Sequence, residues 1–463
     1  MKFAILNLAL IIGLWGNSQV WLIRNVTVIP MNKEVVLINK DVLIENGKIK
    51  SIMETGKTGS RATIIDGTGK FLVPGLFDMH VHFFYEQGDH KNTCEAEIKM
   101  MLANGLTTVR ILAGHPAYLE ARSNVKQEKW PGPELLIASP QLVGRWPWSP
   151  EFKNFEIVDT QEKGKAAVKR FRQEGYDEIK ITFMVKRDVY DEIISTAKEE
   201  GIRVVGHVGP QVKLPAALAT GQQIEHMDEF IDMLLPDTSY NHGQSVSDMN
   251  IWRKEAWATV PHLDENKIPA LAKSVKEAGI YVTPTNYFFI STFGDGTTEE
   301  QARQNPGYNY IPGVIRADRW KTWDYYNKNA PPQESRKRYV DLRKKMVNAL
   351  WRAGVPLMAG SDSPEFFLVQ GFSLHDELDM FVKAGLTPFA ALQTATVNTA
   401  TYLRMIERTG TIESGKEADL LLLEKNPLED ITNTRSIAAV FANGKYFDKS
   451  AIDRLLREAK PVE

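Results

Sequence analysis

Two kinds of apolar pattern divide this chain into a middle and two ends. From Val20 to Val73, apolar and polar residues alternate in short runs (WLIRNVTVI, VLINKDVLIENGKIKSI, ATIIDGTGKFLV). A period of two predicts strands with one buried face, and Glu45-Asn46-Gly47 and Asp66-Gly67 between them predict hairpin turns. The C-terminal stretch has the same character: ADLLLLEKN, then SIAAVFANGKYF with an Asn443-Gly444 turn. In the middle, compact apolar runs alternate with helical-period segments such as Glu95 to Asn104, Ala166 to Glu174, Val189 to Glu200 and Lys267 to Ala278. Strand followed by helix, repeated, predicts a parallel sheet, and eight such units predict an α/β chain of the (β/α)8 barrel type.

The eight candidate strands begin at Phe71 (FLVPGLFDMHVH), Gly105 (GLTTVRIL), Glu134 (ELLIASPQ), Asp177 (DEIKITF), Arg203 (RVVGHV), Gln223 (QIEHM), Tyr281 (YVTPTNYF) and Val355 (VPLMAGSD). The long gap from Ile290 to Arg343 is polar and rich in Trp and Tyr, which predicts an insertion over one mouth of the barrel. No internal repeat and no low-complexity tract interrupts the pattern.

The first residues carry an address. Met1-Lys2 is followed by the apolar run Phe3 to Trp15, then by Gly16-Asn17-Ser18, a small-x-small pattern that suits signal peptidase. Residues 1–18 are therefore expected to be a cleaved signal peptide, with Gln19 at the mature N-terminus. The run is shorter than the roughly 20 residues that span a bilayer. A core helix is the alternative, and the strand-like segment starting at Val20 argues against it. Export to the periplasm or the medium follows.

Composition narrows the function. With 463 residues, 43 % apolar and 25 % charged, the chain has a soluble globular balance and can build a sizeable core. The net charge of −2 offers no footprint for nucleic acid and no polybasic membrane patch. Cys94 is the sole cysteine, which excludes an intrachain disulfide and a cysteine-rich zinc site.

The candidate chemistry lies at strand ends. His80 and His82 are two apart on the first strand, so both imidazoles face one side and can reach one metal. His207 ends the fifth strand, His226 the sixth and Asp362 the eighth. In a closed barrel these ends converge on one mouth, where barrel active sites lie. His90, His242 and His262 have no such placement and read as surface residues. Lys180 sits mid-strand in Ile179-Lys180-Ile181, where burial would lower its pKa and expose a free amine. Such an amine reacts with carbon dioxide to give a carbamate able to bridge two cations; the alternative is an ion pair with a neighbour such as Glu225.

These residues resemble a known family. Pro74-Gly75-Leu76-Phe77-Asp78-Met79-His80-Val81-His82 is similar to the first-strand signature of the amidohydrolase superfamily. So are Gly206-His207, Ile224-Glu225-His226 and Ala359-Gly360-Ser361-Asp362-Ser363. The stretches AGLTPFAALQTATVNTATYL and GTIESGKEADLLLLEKNPLEDI resemble the closing helix and strand of imidazolonepropionase-like members. The resemblance covers nearly the whole mature chain. It implies a (β/α)8 barrel over residues 74–410 and a small β-sandwich built from residues 19–73 and 411–450. It also implies two divalent metal ions: His80 and His82 on one, His207 and His226 on the other. Lys180 matches the carboxylated bridge of the binuclear members, including prolidase-like dipeptidases, and Asp362 completes the first site and handles the proton.

One segment departs from that pattern. Many prolidase-like relatives carry Gly-Gly-His after the third strand, where this chain reads Leu142-Val143-Gly144-Arg145-Trp146-Pro147-Trp148. A dipeptide preference is not implied. Arg145 could grip a substrate carboxylate or form a loop salt bridge, and Trp146 or Trp148 could wall an aromatic or apolar leaving group. His115 and Tyr287, just beyond the second and seventh strands, are further pocket candidates. His, carboxylate and carbamate donors suit zinc, with manganese, cobalt or iron also fitting.

The expected activity is hydrolysis of an amide or peptide-like C–N bond of a small molecule by a metal-activated hydroxide. A mononuclear deaminase or imidazolonepropionase-like enzyme would not need Lys180. A secreted glycosidase barrel would need two facing carboxylates and would leave the histidines superfluous. A non-catalytic binding protein would have no reason to keep the whole ligand set. The oligomeric state is open, and a homo-oligomer is compatible with the sequence.

Overall fold

The computed structural model describes residues 19–56, 62–84, 94–145, 155–227, 229–236, 251, 253–294 and 298–461. The expected signal peptide, Trp146, Trp148, His90 and His242 lie outside the described residues. Among the described helices, none is long and apolar enough to cross a membrane.

Both chain ends build one sheet. Strands β1 (Val20–Val28), β2 (Leu37–Glu45), β3 (Lys48–Glu54), β4 (Thr63–Asp66) and β5 (Phe71–Pro74) join three strands from the far end of the chain. The order is β17-β16-β15-β5-β1-β2-β3, where β15 is Leu420–Leu423, β16 Ile437–Ala442 and β17 Lys445–Asp448, and β4 pairs with β1. The ends meet at β5 and β15, antiparallel with Leu420 opposite Pro74. This single mixed sheet stands where a β-sandwich was expected. Its own apolar cluster includes Ile23, Val42, Leu72, Leu420 and Phe441.

Two of the expected hairpins form. Asn46-Gly47 and Asn443-Gly444 both have positive φ at each residue (54°, 72° and 51°, 73°), which matches the twist between antiparallel strands. Asp66-Gly67 makes no hairpin. It leads from β4 to β5, and both of those strands lie parallel to β1.

The middle of the chain is parallel throughout. One three-stranded sheet holds β6 (Leu76–Val81), β7 (Leu106–Ile111) and β8 (Glu134–Ile137). A six-stranded sheet runs in the order β10-β9-β11-β12-β13-β14, with β9 at Gln141–Val143 and β10 at Phe155–Ile157. The rest are β11 (Glu178–Ile181), β12 (Arg203–Gly206), β13 (Gln223–Glu225) and β14 (Val282–Thr283). These are two sheets rather than one closed ladder. Single parallel bridges link them, Ala138 to Glu178, Val282 to Leu357 and Val81 to Ser363.

The eighth expected strand is reduced to such contacts. Met358 N donates to Val282 O at 2.9 Å, Met79 N to Ala359 O at 2.9 Å and Asp362 N to His80 O at 2.8 Å. The first expected strand is divided: Phe71–Pro74 belongs to the terminal sheet and Leu76–Val81 to the parallel one. Strands β9 and β10 had no counterpart in the sequence pattern, because three residues are too few for a period to register.

Helices fill the connections as their amphipathic period predicts. The helix Gln161–Glu174 shows how the ends are fixed: the Thr160 side chain accepts from Lys163 N, and Gly175 closes it in the left-handed conformation at φ 90°. The long insertion is helical as well, with helices at Asn286–Phe293, Glu299–Gln304, Gly313–Lys328 and Gln333–Arg352.

Candidate metal centre

Strand β6 is buried along its whole length. Its alternation puts Asp78 and His80 on one face, and His82 continues that series just past the strand's end. Asp78 Oδ1 accepts from His80 N at 3.1 Å and from Ser361 N at 3.0 Å, tying β6 to the segment that ends in Asp362. Burial pushes the Asp78 carboxyl up to about 7.

The histidines and Asp362 converge. His80 Nε2 lies 3.2 Å from His82 Nε2 and 3.3 Å from Asp362 Oδ1, and His82 Nε2 lies 3.4 Å from the same oxygen. His226 Nδ1 is 3.7 Å from Asp362 Oδ2 and 2.7 Å from Thr285 Oγ1. The His207 ring stacks on His226 with centroids 4.7 Å apart, and His80 and His226 are 4.6 Å apart. One donor atom from each of His80, His226 and Asp362 falls within 4.8 Å of the others. The backbone is held out of its ordinary regions here: φ is 61° at His226, 45° at Thr285 and 56° at Asp362. Left-handed conformations of non-glycine residues cost roughly 1–3 kcal/mol each and concentrate at functional sites.

Close backbone approach makes room for this crowd. A Cβ on Gly360 would lie 2.8 Å from His80 Cβ, and a Cβ on Gly206 would lie 2.9 Å from Lys180 Cδ. Glycine at both positions lets neighbouring strands pass the His80 and Lys180 side chains.

Burial first, and neighbouring charge second, keep the His80 and His226 imidazoles neutral. Burial, and next the Lys180 charge, holds His80 well below its ordinary pKa. Burial, then His80, His207 and Lys180, does the same for His226. Neutral imidazole is the form that ligates a metal. Lys180 is 1 % exposed on β11. Glu225, the partner considered for it, is engaged elsewhere. Its Oε2 is 2.7 Å from His80 Nδ1, and its Oε1 accepts from Arg110 at 2.6 Å. A carboxylate on Nδ1–H fixes the tautomer and leaves the Nε2 lone pair facing His82 and Asp362.

Arg110 anchors that carboxylate from below. It also donates to Met79 O at 2.7 Å, Gln223 Oε1 at 2.9 Å and Glu178 Oε2 at 3.2 Å, while Glu178 accepts from Arg203 and Tyr402. Sequence reasoning missed Arg110 as a supporting residue. The signal was present, since Arg110 interrupts an apolar strand just as Lys180 does.

The expected pocket residues fare differently. Arg145 is exposed, and its guanidinium pairs with Asp159 at 2.6 Å. His115 caps the helix Pro116–Lys126, its Nδ1 accepting from Ala117 N at 3.1 Å. Tyr287 lines a cavity shared with Asp376 and Arg435, and no histidine is among that cavity's lining residues. His262 is exposed, as expected. Arg319 was not anticipated. From the insertion helix Gly313–Lys328 it donates to Pro364 O and lies over the Phe84 ring at 5.3 Å, so it touches the segments leaving both Asp362 and His82.

A family model for the amidohydrolase family matches residues 71–446, and the chain belongs to that family. Among curated proteins it is similar to dihydroorotases of Bacillus thuringiensis and Bacillus cereus, 38 % identical over 79 residues. That match covers 17 % of this chain and 18 % of the relatives' length. Solved structures share the α/β fold over far more of it. A bottromycin amidohydrolase superposes with a TM-score of 0.73 at 23 % identity, covering 96 % of this chain and 90 % of its own. A Xaa-Pro dipeptidase solved with bound methionine in the active site gives 0.65 at 20 %, covering 93 % and 100 %. The ochratoxinase of A. niger gives 0.63 at 20 %, covering 93 % and 96 %.

Proposed function

We propose that this chain is a metal-dependent amidohydrolase that cleaves an amide or peptide-like C–N bond of a small molecule. The observation that carries the reading is the buried group of His80, His226 and Asp362, its ligand atoms within 4.8 Å, in a chain of the amidohydrolase family. The donors fit a divalent cation: neutral imidazoles and one carboxylate, cleared of Cβ atoms by Gly206 and Gly360. His80 and His82 would hold one ion and His207 and His226 a second, with Asp362 completing the first site and carboxylated Lys180 between them. Zinc is the proposed metal.

Bound divalent cations lower the pKa of water toward neutrality and polarise a carbonyl. The chain's own residues supply the rest. Asp362 takes the proton from the attacking water and passes it to the leaving nitrogen. Glu225, held by Arg110, orients the His80 ring. The buried Lys180 amine, in its unprotonated form, would attack carbon dioxide, form an N–C bond and lose one proton to give the carbamate. The three bridges between the parallel sheets support reading residues 74–410 as a (β/α)8 barrel, with residues 19–73 and 411–450 as a second, β-rich domain.

Metal analysis joined to a screen of N-acyl amino acids, dipeptides and cyclic amides tests the proposal. About two divalent ions per chain and hydrolysis of one of these classes are expected. A stoichiometry of one, unchanged by added metal and bicarbonate, would favour a mononuclear deaminase-like enzyme instead. We also propose export with Gln19 as the mature start. N-terminal sequencing of protein from a periplasm or culture medium checks this, and a retained Met1 would overturn it.

A further inference from the structure

The cavity that takes up Tyr287 lies apart from the histidines. It measures about 470 Å³, within the roughly 300–1,000 Å³ of small-molecule sites, and sits between the helices Asn286–Phe293, Gln333–Arg352 and Phe372–Lys383. Its apolar walls include Ile290, Trp323, Phe366, Phe367 and Met380. Three charged residues line it: Lys344, Asp376 and Arg435. Asp376 and Arg435 pair at 2.5 Å and neutralise one another. Lys344 has no ion pair among the described residues, so the cavity keeps one net positive charge. The Tyr287 hydroxyl, buried enough to hold its pKa above the ordinary value, has no hydrogen-bond partner among the described residues. Ser291, Thr292, Gln301, Gln304 and Asn305 add uncharged polar groups to the lining. An ammonium without an ion pair among the described residues, beside a phenol hydroxyl and several aromatic walls, matches an organic anion of single charge.

The cavity is also wired to the histidine cluster through adjacent residues. On each of three helices, one residue lines the cavity and its chain neighbour belongs to a buried network behind His226. The pairs are Tyr287 with Asn286, Lys344 with Arg343, and Asp376 with Glu377. Arg343 donates to Asn286 Oδ1 at 2.9 Å, to Pro284 O at 2.8 Å and to His226 O at 3.2 Å. Glu377 accepts from Asn286 N at 2.8 Å and Tyr287 N at 2.6 Å. Phe366 and Phe367 add a fourth link, because they follow Asp362 by four and five residues.

We propose that this cavity is a second small-molecule site, for a monocarboxylate with an apolar or aromatic body, and that its occupancy is coupled to the metal affinity of the histidine cluster. The coupling rests on the metal-dependent reading of that cluster; the site itself does not. A carboxylate there forms a charge-assisted hydrogen bond with Lys344 and accepts from the Tyr287 hydroxyl. Ordering those two side chains shifts Arg343 and Asn286, and with them the carbonyl of His226.

Calorimetric titration of the full mature protein with butyrate, hexanoate and 3-phenylpropionate tests the site, with 3-phenylpropanol as the uncharged control. The expected result is saturable binding of at least one acid, at least tenfold tighter than the alcohol. Lys344→Met should weaken it tenfold or more, and Lys344→Arg should restore it. No saturable binding of any acid, or binding equal in Lys344→Met, overturns the site. Zinc affinity, measured by chelator competition, should move at least threefold with the acid present in the native protein and stay fixed in Lys344→Met. Lys344-dependent binding with zinc affinity unmoved overturns the coupling. Neither readout needs turnover, so a failure of the hydrolase proposal is seen separately, in the substrate screen.

Discussion

Glu225→Gln tests the support of the metal centre directly. The amide keeps the size and one acceptor oxygen of Glu225 but removes its charge. Two losses follow from the contacts of Glu225. Arg110 loses the carboxylate at 2.6 Å and keeps Glu178 at 3.2 Å, together with the Met79 and Gln223 oxygens. Breaking a buried pair outright costs about 3–5 kcal/mol. With a second carboxylate still on Arg110, a loss of about 2–3 kcal/mol is expected. His80 loses an anionic acceptor at Nδ1, and outer partners of this kind are worth about 10–100-fold in metal affinity. Denaturant unfolding in the presence of a chelator measures the first effect, and zinc competition with a chromogenic chelator measures the second. Full zinc affinity in a variant that is destabilised as expected would show that Glu225 serves only Arg110. Stability and affinity both unchanged would refute the network altogether.

Three further outcomes are expected. Asp362→Asn should lower kcat by about 10²–10⁴-fold while metal content falls far less, since the histidines stay in place; loss of both metals would make Asp362 chiefly a ligand. Lys180→Ala should lose the second metal and most activity, with partial recovery on adding short carboxylic acids that replace the missing bridge; unchanged metal and rate would leave the residue structural. Asp419, buried between the two chain ends, has its carboxyl pushed up to about 7 by burial and by Glu417, against about 3.9 in an unfolded chain. Between those values the folded state binds the extra proton, so this group's contribution falls as pH rises from about 4 to about 7 and is flat above. Unfolding free energies of native protein and Asp419→Asn across pH 4–8 check this: their difference should shift against the native protein over that window, and a constant difference would refute it.

The residues that carry the chemistry could be read from sequence because each breaks its local pattern. Two histidines two apart at the end of an apolar strand, a lysine inside another and an aspartate after small residues stand out whatever surrounds them. The Asn-Gly turns were equally legible, since both residues must take positive φ. The alternation of strand and helix was long enough to register, although β9 and β10, three residues each, were not.

What the sequence could not decide was which groups meet. Asp66-Gly67 has hairpin chemistry, yet its flanking strands both lie beside β1, because pairing is settled by what the whole sheet buries. Glu225 could have served Lys180 or His80; it lies against His80 because Arg110, 115 positions earlier, holds it there. Tyr287 follows a strand whose neighbours end at the histidines, but Glu377 caps the start of its helix and the residue lines a cavity that no histidine lines. Local sequence fixes backbone preference and the kind of chemistry a side chain can do. Direction and partnership come from long-range packing, where a few ångströms decide which of several suitable groups is within reach.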